Sequence, residues 1–431
     1  MGALFAIAVV VFLMILGVPV VFSFAAMALT LSVIYDIDIS SLMTTGFWSV
    51  NSIILVALPL FIMTGYIMQA GGIAKRLVAF VEAVVGGSRS GMGASMVVSC
   101  GIFGAISGTA SAAVASIGKI MTDPMEKYGY DRPYTASLLG ASSLLGLLIP
   151  PSITMILYAV VTRQSVAACF LATVGPGLLL IVVLIIYNAI RMRRARGPEA
   201  PRMPPNDRLR EIRSTGWNAV PALMMPIIIL GGIYSGTFTP TEAAAIAVVY
   251  SIPVGFFVYK DLDIKKLFRC IVDAAATTGV ILVILIFSFI ASRIFTMERV
   301  PQEMTQLLLL LFKNKIAVLI AVNVFLIALG MIMDDISVIA ITSPLLLPVM
   351  VQIGVDPIQF AAIIGVSVVI GCNTPPMAPI LFMTCRVTNV GMSQVMKPAF
   401  LLLLFTALPV QLAVTFWPSL SLFLPTILGY R

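Results

Sequence analysis

Two short stretches decide the fold of this chain: Gly146-Leu147-Leu148-Ile149-Pro150-Pro151-Ser152 and Gly371-Cys372-Asn373-Thr374-Pro375-Pro376. Each places adjacent prolines inside a long apolar run. An α-helix cannot continue through such a pair, because proline lacks a backbone N–H and pushes the preceding residue out of the helical region. Within a bilayer the freed backbone groups need partners inside the protein, so broken helices line cavities or ion sites. Two breaks at matching places in two halves predict the binding centre of a secondary transporter.

The composition is that of a polytopic membrane protein. Hydrophobic residues make up 60% of the 431 residues and charged residues only 10%, and runs of about 20 apolar residues, the length that crosses a bilayer, recur throughout. The sequence contains no histidine, which excludes His-based zinc sites and Ser-His triads, and its five scattered cysteines form no metal or disulfide pattern. We therefore predict no cofactor and no enzymatic activity. The net charge of +8 is assigned to cytoplasmic loops rather than to nucleic-acid binding.

The apolar runs form two series with the same order of elements. In each series spans come first, followed by a hairpin with short arms, a broken helix and a final span. The polar centre of each hairpin would therefore lie inside the membrane. In the first series the predicted elements are two short spans within 3–35, a span at about 53–68, an amphipathic surface segment at 73–85, a re-entrant hairpin at about 92–122, a broken helix at about 133–162 and a span at about 166–190.

The second series repeats the first and predicts an all-α protein with inverted repeats. Gly104 and Gly330 lie 226 positions apart, and Pro150 and Pro375 lie 225 apart, so a stable offset indicates duplication. An odd number of crossings in each half inverts the second repeat. With both termini on the periplasmic side, about 20 of the 26 basic residues fall in the cytoplasm, as the positive-inside rule requires. The predicted units are a first repeat at 1–190, a solvated cytoplasmic linker at 191–215, and a second repeat at 216–431 with its hairpin at about 315–350 and its broken helix at about 357–385.

Polar side chains concentrate at the hairpin centres and the helix breaks. Hydroxyl, amide and carboxylate oxygens with unwound backbone carbonyls form the hard-oxygen shell that suits Na⁺, and half-helix N-termini hold carboxylates. One serine or threonine in such a place more often bonds to its own helix, but four clusters at a fixed offset favour a functional role. The candidates are Ser107, Gly108, Thr109, Ser111, Ser142, Ser143 and Gly146 in the first half and Asp334, Asp335, Ser337, Asn373 and Thr374 in the second.

The pair Asp334-Asp335 is the strongest single indication of a functional site, because a carboxylate at membrane depth is energetically costly. Adjacent side chains point in different directions, so one would bind a cation while the other caps the following half-helix. The alternative is a shallower tip with solvated carboxylates. Glu242 begins a helix and is assigned to capping. Arg163 and Arg386 follow the two broken helices, where we favour snorkelling to the interface over attraction of a substrate anion.

These residues resemble a known family, the large membrane subunit of tripartite ATP-independent periplasmic (TRAP) transporters in the ion-transporter superfamily. The resemblance covers essentially the whole chain. Its most distinctive stretch is Gly231–Ala245, which reads GGIYSGTFTPTEAAA, and Gly146–Ser152 and Leu58–Phe61 are similarly close. The resemblance implies an elevator-type importer of organic carboxylates, such as C4-dicarboxylates or sialic acid, driven by a Na⁺ gradient across the bacterial inner membrane. The hairpins and broken helices would form the transport domain, and the remaining spans its scaffold.

Partners and binding sites are implied by the same resemblance. A separate four-helix small membrane subunit and a soluble periplasmic substrate-binding protein would complete the importer. One Na⁺ site would lie between the 107–111 tip and residues 142–146, and a second between the 334–337 tip and residues 371–374. The chain departs from the family at the second tip, which reads Asp334-Asp335-Ile336 where many members have a single carboxylate followed by proline, and at Cys372-Asn373, where many have apolar residues. Gly371 is a further candidate ligand of the second Na⁺ site. The substrate would lie between the two Na⁺ sites. Its candidate contacts are Thr109, Ser337, Pro150, Pro375, Arg163 and Arg386.

Three other classes of protein are weighed against this one. A stand-alone Na⁺ or H⁺ carboxylate symporter of the same superfamily would work without a binding protein. A passive channel would only equilibrate its solute, and inverted hairpins suit alternating access better than a continuous pore. An intramembrane aspartyl protease would need aspartates on two separate spans, whereas Asp334 and Asp335 are adjacent.

Overall fold

The computed structural model describes residues 2–193, 205–312, 314–375 and 378–430. Within these ranges the secondary structure is entirely helical, as the apolar runs predict. The first half contains α1 Gly2–Ile15, α2 Val20–Tyr35, α3 Ile39–Val50, α4 Ala57–Ala70, α5 Ile73–Val85, α6 Arg89–Ser107, α7 Ala110–Lys127, α8 Arg132–Ser143, α9 Leu145–Leu148, α10 Ile153–Thr162 and α11 Val166–Arg193.

The second half repeats much of this series. Its helices are α12 Pro205–Tyr234, α13 Pro240–Pro253, α14 Ile264–Met297, α15 Val300–Leu311, α16 Lys315–Gly330, α17 Asp335–Gln352, α18 Pro357–Asn373, α19 Pro379–Thr388, α20 Met392–Phe405, α21 Ala407–Phe416 and α22 Ser419–Ile427. From α6 onward the helix starts recur with shifts of 225 or 226 residues, as in the pairs Arg89 and Lys315, Ala110 and Asp335, Ile153 and Pro379, and Val166 and Met392.

The prediction of a multi-pass membrane protein is confirmed. Eight of the described helices are long and apolar enough to cross a membrane. A ninth crossing results if Arg132–Leu148 and Ile153–Thr162, which meet at a bend of 44°, count as one broken span. That bend lies at the first proline pair. The opening apolar run forms two helices, α1 and α2, that pack against each other.

Two boundaries differ from the sequence predictions. Helix α6 begins at Arg89, because Ser88 caps it by accepting a hydrogen bond from Gly91 N at 3.1 Å. Its 19 residues rise about 28 Å, so the length of this arm does not by itself make the hairpin re-entrant. Of the second proline pair, Pro376 lies outside the described residues, and the break there runs from the end of α18 to the start of α19 at Pro379.

Within the predicted linker at 191–215, the described residues 191–193 and 205–215 are helical. Helix α11 extends to Arg193, α12 begins at Pro205, and residues 194–204 lie outside the described residues. Arg208 of α12 donates to the carbonyl of Val84 at 2.9 Å, at the end of α5. At the other end of α5, Arg76 forms an ion pair with Asp261. Because both contacts involve second-half residues, α5 is held against the second half; its predicted location at the membrane surface stays a prediction.

The two halves share one core rather than forming separate bodies. Helix α8 packs against α19 and α20, and α10 packs against α17. Two hydrogen bonds tie these surfaces together: Tyr158 Oη donates to Pro357 O at 2.7 Å, and Ser137 Oγ donates to Val395 O at 3.3 Å. The hairpins and breaks of both halves are therefore brought to the centre of the molecule.

Candidate functional site

The first hairpin turns at Gly108, where the sequence places its polar centre. Helix α6 ends at Ser107, and Gly108 adopts φ +65° in the left-handed region that glycine tolerates best. Thr109 then caps α7 by accepting from Ala112 N at 3.4 Å. A Cβ atom on Gly108 would lie 2.9 Å from Pro151 O. The tip therefore touches the first proline break, and the close approach requires glycine.

At the first break, side-chain hydroxyls satisfy a carbonyl that the break frees. Helix α9 ends at Leu148, and α10 begins only at Ile153. Leu147 O accepts hydrogen bonds from Ser152 Oγ at 2.6 Å and from Thr154 Oγ1 at 3.3 Å, and the two hydroxyls lie 2.7 Å apart. The hydroxyl groups replace the helical N–H donor that Pro151 removes, so this carbonyl is satisfied without a ligand.

Each hairpin meets its own broken helix through a pair of glycines. A Cβ on Gly104 would lie 2.5 Å from Gly146 Cα, and a Cβ on Gly330 would lie 3.0 Å from Gly371 Cα. The four glycines occupy equivalent positions, because Gly104 precedes Gly330 and Gly146 precedes Gly371 by 226 and 225 residues. Direct backbone contact thus places the polar tip of each hairpin against the corresponding break.

At the second tip one of the two aspartates is a helix cap, as their adjacency predicts. Asp334 caps α17: its carboxylate accepts hydrogen bonds from Ser337 N, at 3.3 Å, and from Ser337 Oγ. Asp335 is the first residue of the helix and lines a cavity instead. Among the described residues, no Lys or Arg nitrogen lies within 4.0 Å of either carboxylate.

The second break leaves a polar side chain unsatisfied. Thr374 Oγ1 donates back to Ile370 O at 2.6 Å, but Asn373 is only 2% exposed and neither atom of its amide has a hydrogen-bond partner among the described residues. A Cβ on Gly140 would lie 3.1 Å from Asn373 Oδ1, so the amide lies close to α8. On α8 the fully buried Ser142 Oγ is likewise without a partner in the described part of the chain. Buried groups of this kind normally have partners, and an ion or substrate would supply them.

A cavity of about 430 Å³ lies between the two tips and the helices α4 and α14. It is large enough for a small organic molecule. Of the candidate site residues, Ser107, Gly108, Thr109, Ser111 and Asp335 line it. Sequence reasoning missed the opposite wall, where Tyr66 Oη and Thr277 Oγ1 lie 3.0 Å apart and Gln69 lies nearby. Their only signal in the sequence is that they are polar residues inside apolar helices.

The other candidates lie away from this cavity. Arg163 and Arg386 are exposed at the ends of α10 and α19 and do not line it. Ser143 Oγ donates to Gly140 O at 2.7 Å, which is the local bond expected of a serine with a structural role. Pro150 is buried and Pro375 half-buried at the breaks, without lining the cavity. In the part of the chain that the structure describes, no group of His, Cys, Asp and Glu side chains could hold a metal ion in the usual protein manner.

The family described as "Tripartite ATP-independent periplasmic transporter, DctM component" matches residues 7–420. The chain belongs to this family. The large permease protein DctM of a C4-dicarboxylate TRAP transporter from Pseudomonas aeruginosa is 35% identical over 404 residues, 93% of each chain. The isethionate TRAP transporter permease protein DctMQ from Oleidesulfovibrio alaskensis is 34% identical over 411 residues, which are 95% of this chain but 64% of that protein.

The fold of this DctM protein is also found in a crystal structure of the YdaH transporter from Alcanivorax borkumensis. The TM-score is 0.64 with 14% sequence identity, and the match covers 87% of both chains. At that identity the likeness concerns the fold alone. The family assignment establishes a TRAP transporter permease rather than an enzyme, and so confirms the resemblance that the proline breaks and the 231–245 stretch indicate.

Proposed function

We propose that this DctM protein is the large subunit of a tripartite importer that moves an organic carboxylate across the bacterial inner membrane, coupled to Na⁺. The observation that carries the proposal is the cavity bordered by both hairpin tips and by α4 and α14. A site between the two hairpin tips on one side and α4 and α14 on the other suits an elevator mechanism, in which the hairpins and broken helices slide against the remaining spans. The inverted arrangement of the two repeats, with both termini periplasmic, is part of this proposal.

Two Na⁺ sites fit the distribution of unsatisfied oxygens. The first would use Ser142 and carbonyls at the 107–111 tip and near Gly146, and the second would use Asn373 with carbonyls of Gly371, Thr374 and the tip before Ser337. Support comes from the buried Ser142 hydroxyl and Asn373 amide, which have no partner among the described residues. Na⁺ takes hard oxygen donors of this kind from unwound helices. Thr109 and Ser111, at the N-terminus of α7, would hold the substrate carboxylate.

Partners follow from the family name, since a periplasmic tripartite system needs two further proteins. A small membrane subunit and a soluble periplasmic binding protein would complete the importer. The relatives named for C4-dicarboxylate and isethionate make an organic acid the substrate class to test first. A stand-alone symporter would instead work without the binding protein.

The test is uptake into liposomes that contain this chain and its cognate small subunit. We expect the solute to be concentrated only when an inward Na⁺ gradient and the binding protein are both present. Equilibration without a gradient would indicate a channel, and full activity without the binding protein would indicate a stand-alone symporter. Asn373→Ala should abolish Na⁺ dependence, while Asn51→Ala, which changes an exposed residue between α3 and α4, serves as the control. Unchanged Na⁺ dependence in Asn373→Ala would remove the second ion site from the break.

A further inference from the structure

The cavity between the tips has an unusual charge pattern for an importer of organic acids. Asp335 is the one carboxylate among its lining residues, and the described lining contains no lysine or arginine. Among the described residues, no basic nitrogen lies within 4.0 Å of Asp335 anywhere in the fold. A carboxylate in a low-dielectric cavity without a cationic partner is costly, so it needs a partner that is not part of the protein.

Capping of α17 does not account for Asp335. The N-terminus of a helix carries a partial charge of about +0.5, and Asp334 already provides the capping carboxylate by bonding to the backbone and the side chain of Ser337. The second carboxylate exceeds what the helix end can neutralise. Its carboxylate lies near the backbone N–H groups of Asp335 and Ile336 at the start of the helix and also lines the cavity, which makes it available to whatever enters.

The cavity also has a region that favours anions. Thr109, Ala110, Ser111 and Ala112 line it at the N-terminus of the 18-residue helix α7, and Ile153 at the N-terminus of α10 also faces it. Helix N-termini favour anions. The cavity therefore offers an anion site at one wall and an anionic side chain at the other. A solute with negative charges at both ends would place one of them next to Asp335.

We propose that Asp335 pairs with a positively charged nitrogen of the substrate, so that the transported solute is a zwitterionic carboxylate. This inference rests on the proposed function and makes its substrate class more specific. The carboxylate of the solute would lie at the N-terminus of α7 and its ammonium or amidinium group at Asp335. Tyr66, Gln69 and Thr277 would form the neutral polar wall between these two ends.

The charge of the cavity can be measured without knowing the substrate. Ala115→Cys places a thiol in the lining of α7, while the five native cysteines are buried. The thiol is labelled with two methanethiosulfonates of similar size, one carrying a trimethylammonium group and one a sulfonate. The ratio of the cationic to the anionic labelling rate is then divided by the same ratio measured for free cysteine. We expect a cation preference of at least about tenfold, and its loss in Ala115→Cys/Asp335→Asn. Glu303→Gln, which removes an exposed carboxylate on α15, should leave the preference intact.

Three results of this labelling would overturn the proposal. The first is a ratio near that of free cysteine, or one that Asp335→Asn does not change. The second is a preference that vanishes when Na⁺ replaces N-methylglucamine at constant ionic strength, since Asp335 would then be a sodium ligand. The third is a preference that appears only above pH 8, since Asp335 would then carry a proton near neutrality. Asp335→Ser, checked by gel filtration, guards against a folding defect in Asp335→Asn.

Uptake by the complete system provides the second readout. In liposomes with the small subunit and the binding protein, the solute concentrated from a panel of organic acids should carry a cationic nitrogen, and Asp335→Asn should raise its KM at least tenfold. Uptake of succinate in preference to aspartate would overturn the inference while leaving the proposed function standing. If the labelling preference holds but no gradient drives any uptake, the proposed function fails instead.

Discussion

The two proline breaks occupy equivalent places, yet they differ in how far the protein satisfies its own polar groups. At the first break, Leu147 O accepts hydrogen bonds from two hydroxyl groups, and Gly108 packs against Pro151. At the second, Asn373 is buried with no partner among the described residues, and at the neighbouring tip Asp335 lines the cavity with no basic nitrogen of those residues within 4.0 Å. At the first break the protein thus satisfies the freed carbonyl of Leu147 itself. The second leaves donors and acceptors for a ligand, so the comparison separates architecture from function within one duplicated motif.

The largest effect should come from the glycine contacts that hold each hairpin on its break. We predict that Gly104→Ala strongly lowers the yield of folded protein, because its Cβ would lie 2.5 Å from Gly146 Cα, where only backbone can give way. Gly330→Ala, at 3.0 Å from Gly371 Cα, should be milder; overpacking typically costs about 1–3 kcal/mol. Thermal unfolding followed by fluorescence-detected gel filtration measures both.

The control for these variants is Gly231→Ala in α12, where nothing lies within 4 Å of the new Cβ. It should unfold at the wild-type temperature or above, since alanine favours helix. If Gly104→Ala and Gly330→Ala were both as stable as this control, backbone contact would not fix the two hairpins. The breaks would then lose their shared architectural role.

Two buried asparagines of the second half sharpen the comparison between satisfied and unsatisfied groups. Asn323 donates to Thr415 Oγ1 at 2.9 Å and accepts from Gln411 Nε2 at 2.7 Å. Asn323→Ala should therefore lower the free energy of unfolding by about 1–3 kcal/mol, because the partners lose their bonds. Asn373→Ala removes no bond that the structure shows and should leave stability in Na⁺-free buffer unchanged. The readout is the thermal midpoint with and without Na⁺.

Na⁺ distinguishes the two roles in that experiment. The Na⁺-induced rise in thermal midpoint should persist in Asn323→Ala and disappear in Asn373→Ala, because a ligand that binds only the folded state stabilises it. A destabilised Asn373→Ala protein that keeps its full response to Na⁺ would mean that the amide has a structural partner, and the contrast between the two breaks would then be wrong.

The sequence could predict the features of the fold and the site that depend on neighbouring residues in the chain, but not those that depend on residues far apart in it. The tip at Gly108 and the breaks at Pro150 and Pro375 are local: proline, left-handed glycine and capping residues act within a few positions. The wall formed by Tyr66, Gln69 and Thr277 is not local, because it depends on which helices meet. The sequence indicated that one aspartate would cap and the other would bind a cation, but only the coordinates show that Asp334 is the cap and that Asp335 lines the cavity.

The start of α12 within the predicted linker was missed for a related reason. The arginines and prolines of this stretch indicate a solvated linker, but Pro205 begins a helix, a position where proline is favourable. Arg208 then gains carbonyl partners at the end of α5. Those partners lie more than 120 residues away in the sequence, so no local pattern could reveal them.

A smaller effect is expected at the helix caps that open the second arm of each hairpin. Thr109 accepts one long bond from Ala112 N at 3.4 Å, whereas Asp334 accepts from both the backbone and the hydroxyl of Ser337. Thr109→Ala should cost about 0.5–1 kcal/mol and Asp334→Ala somewhat more, since charge at a helix N-terminus adds to the cap. Denaturation in mild detergent with increasing urea measures both, and Thr109→Ser should restore the first. A larger loss from Thr109→Ala would show that the first tip depends more on its cap than the second does.

The smallest difference lies at the loops that follow the two hairpins. After α7, Arg132 Nε donates to Glu126 Oε2 at 2.9 Å, whereas the equivalent of Glu126, 225 residues later, is the uncharged Val351. The hydrogen bond from Arg132 lowers the pKa of Glu126 below its usual 4.5. The ion pair therefore stabilises the fold above that pH, and the contribution is lost as pH falls through the lowered pKa.

Because this ion pair is exposed, its contribution should be small and should weaken with salt. Glu126→Gln should reduce the thermal midpoint slightly at pH 7 and low salt, and not at all near pH 3 or in 1 M salt. Asp123→Asn, which removes a weaker partner 3.5 Å from Arg132, should change less. A Glu126→Gln difference that persisted unchanged at pH 3 would mean that Glu126 acts through packing rather than charge. The two loops would then differ in shape, and not in electrostatics as their sequences indicate.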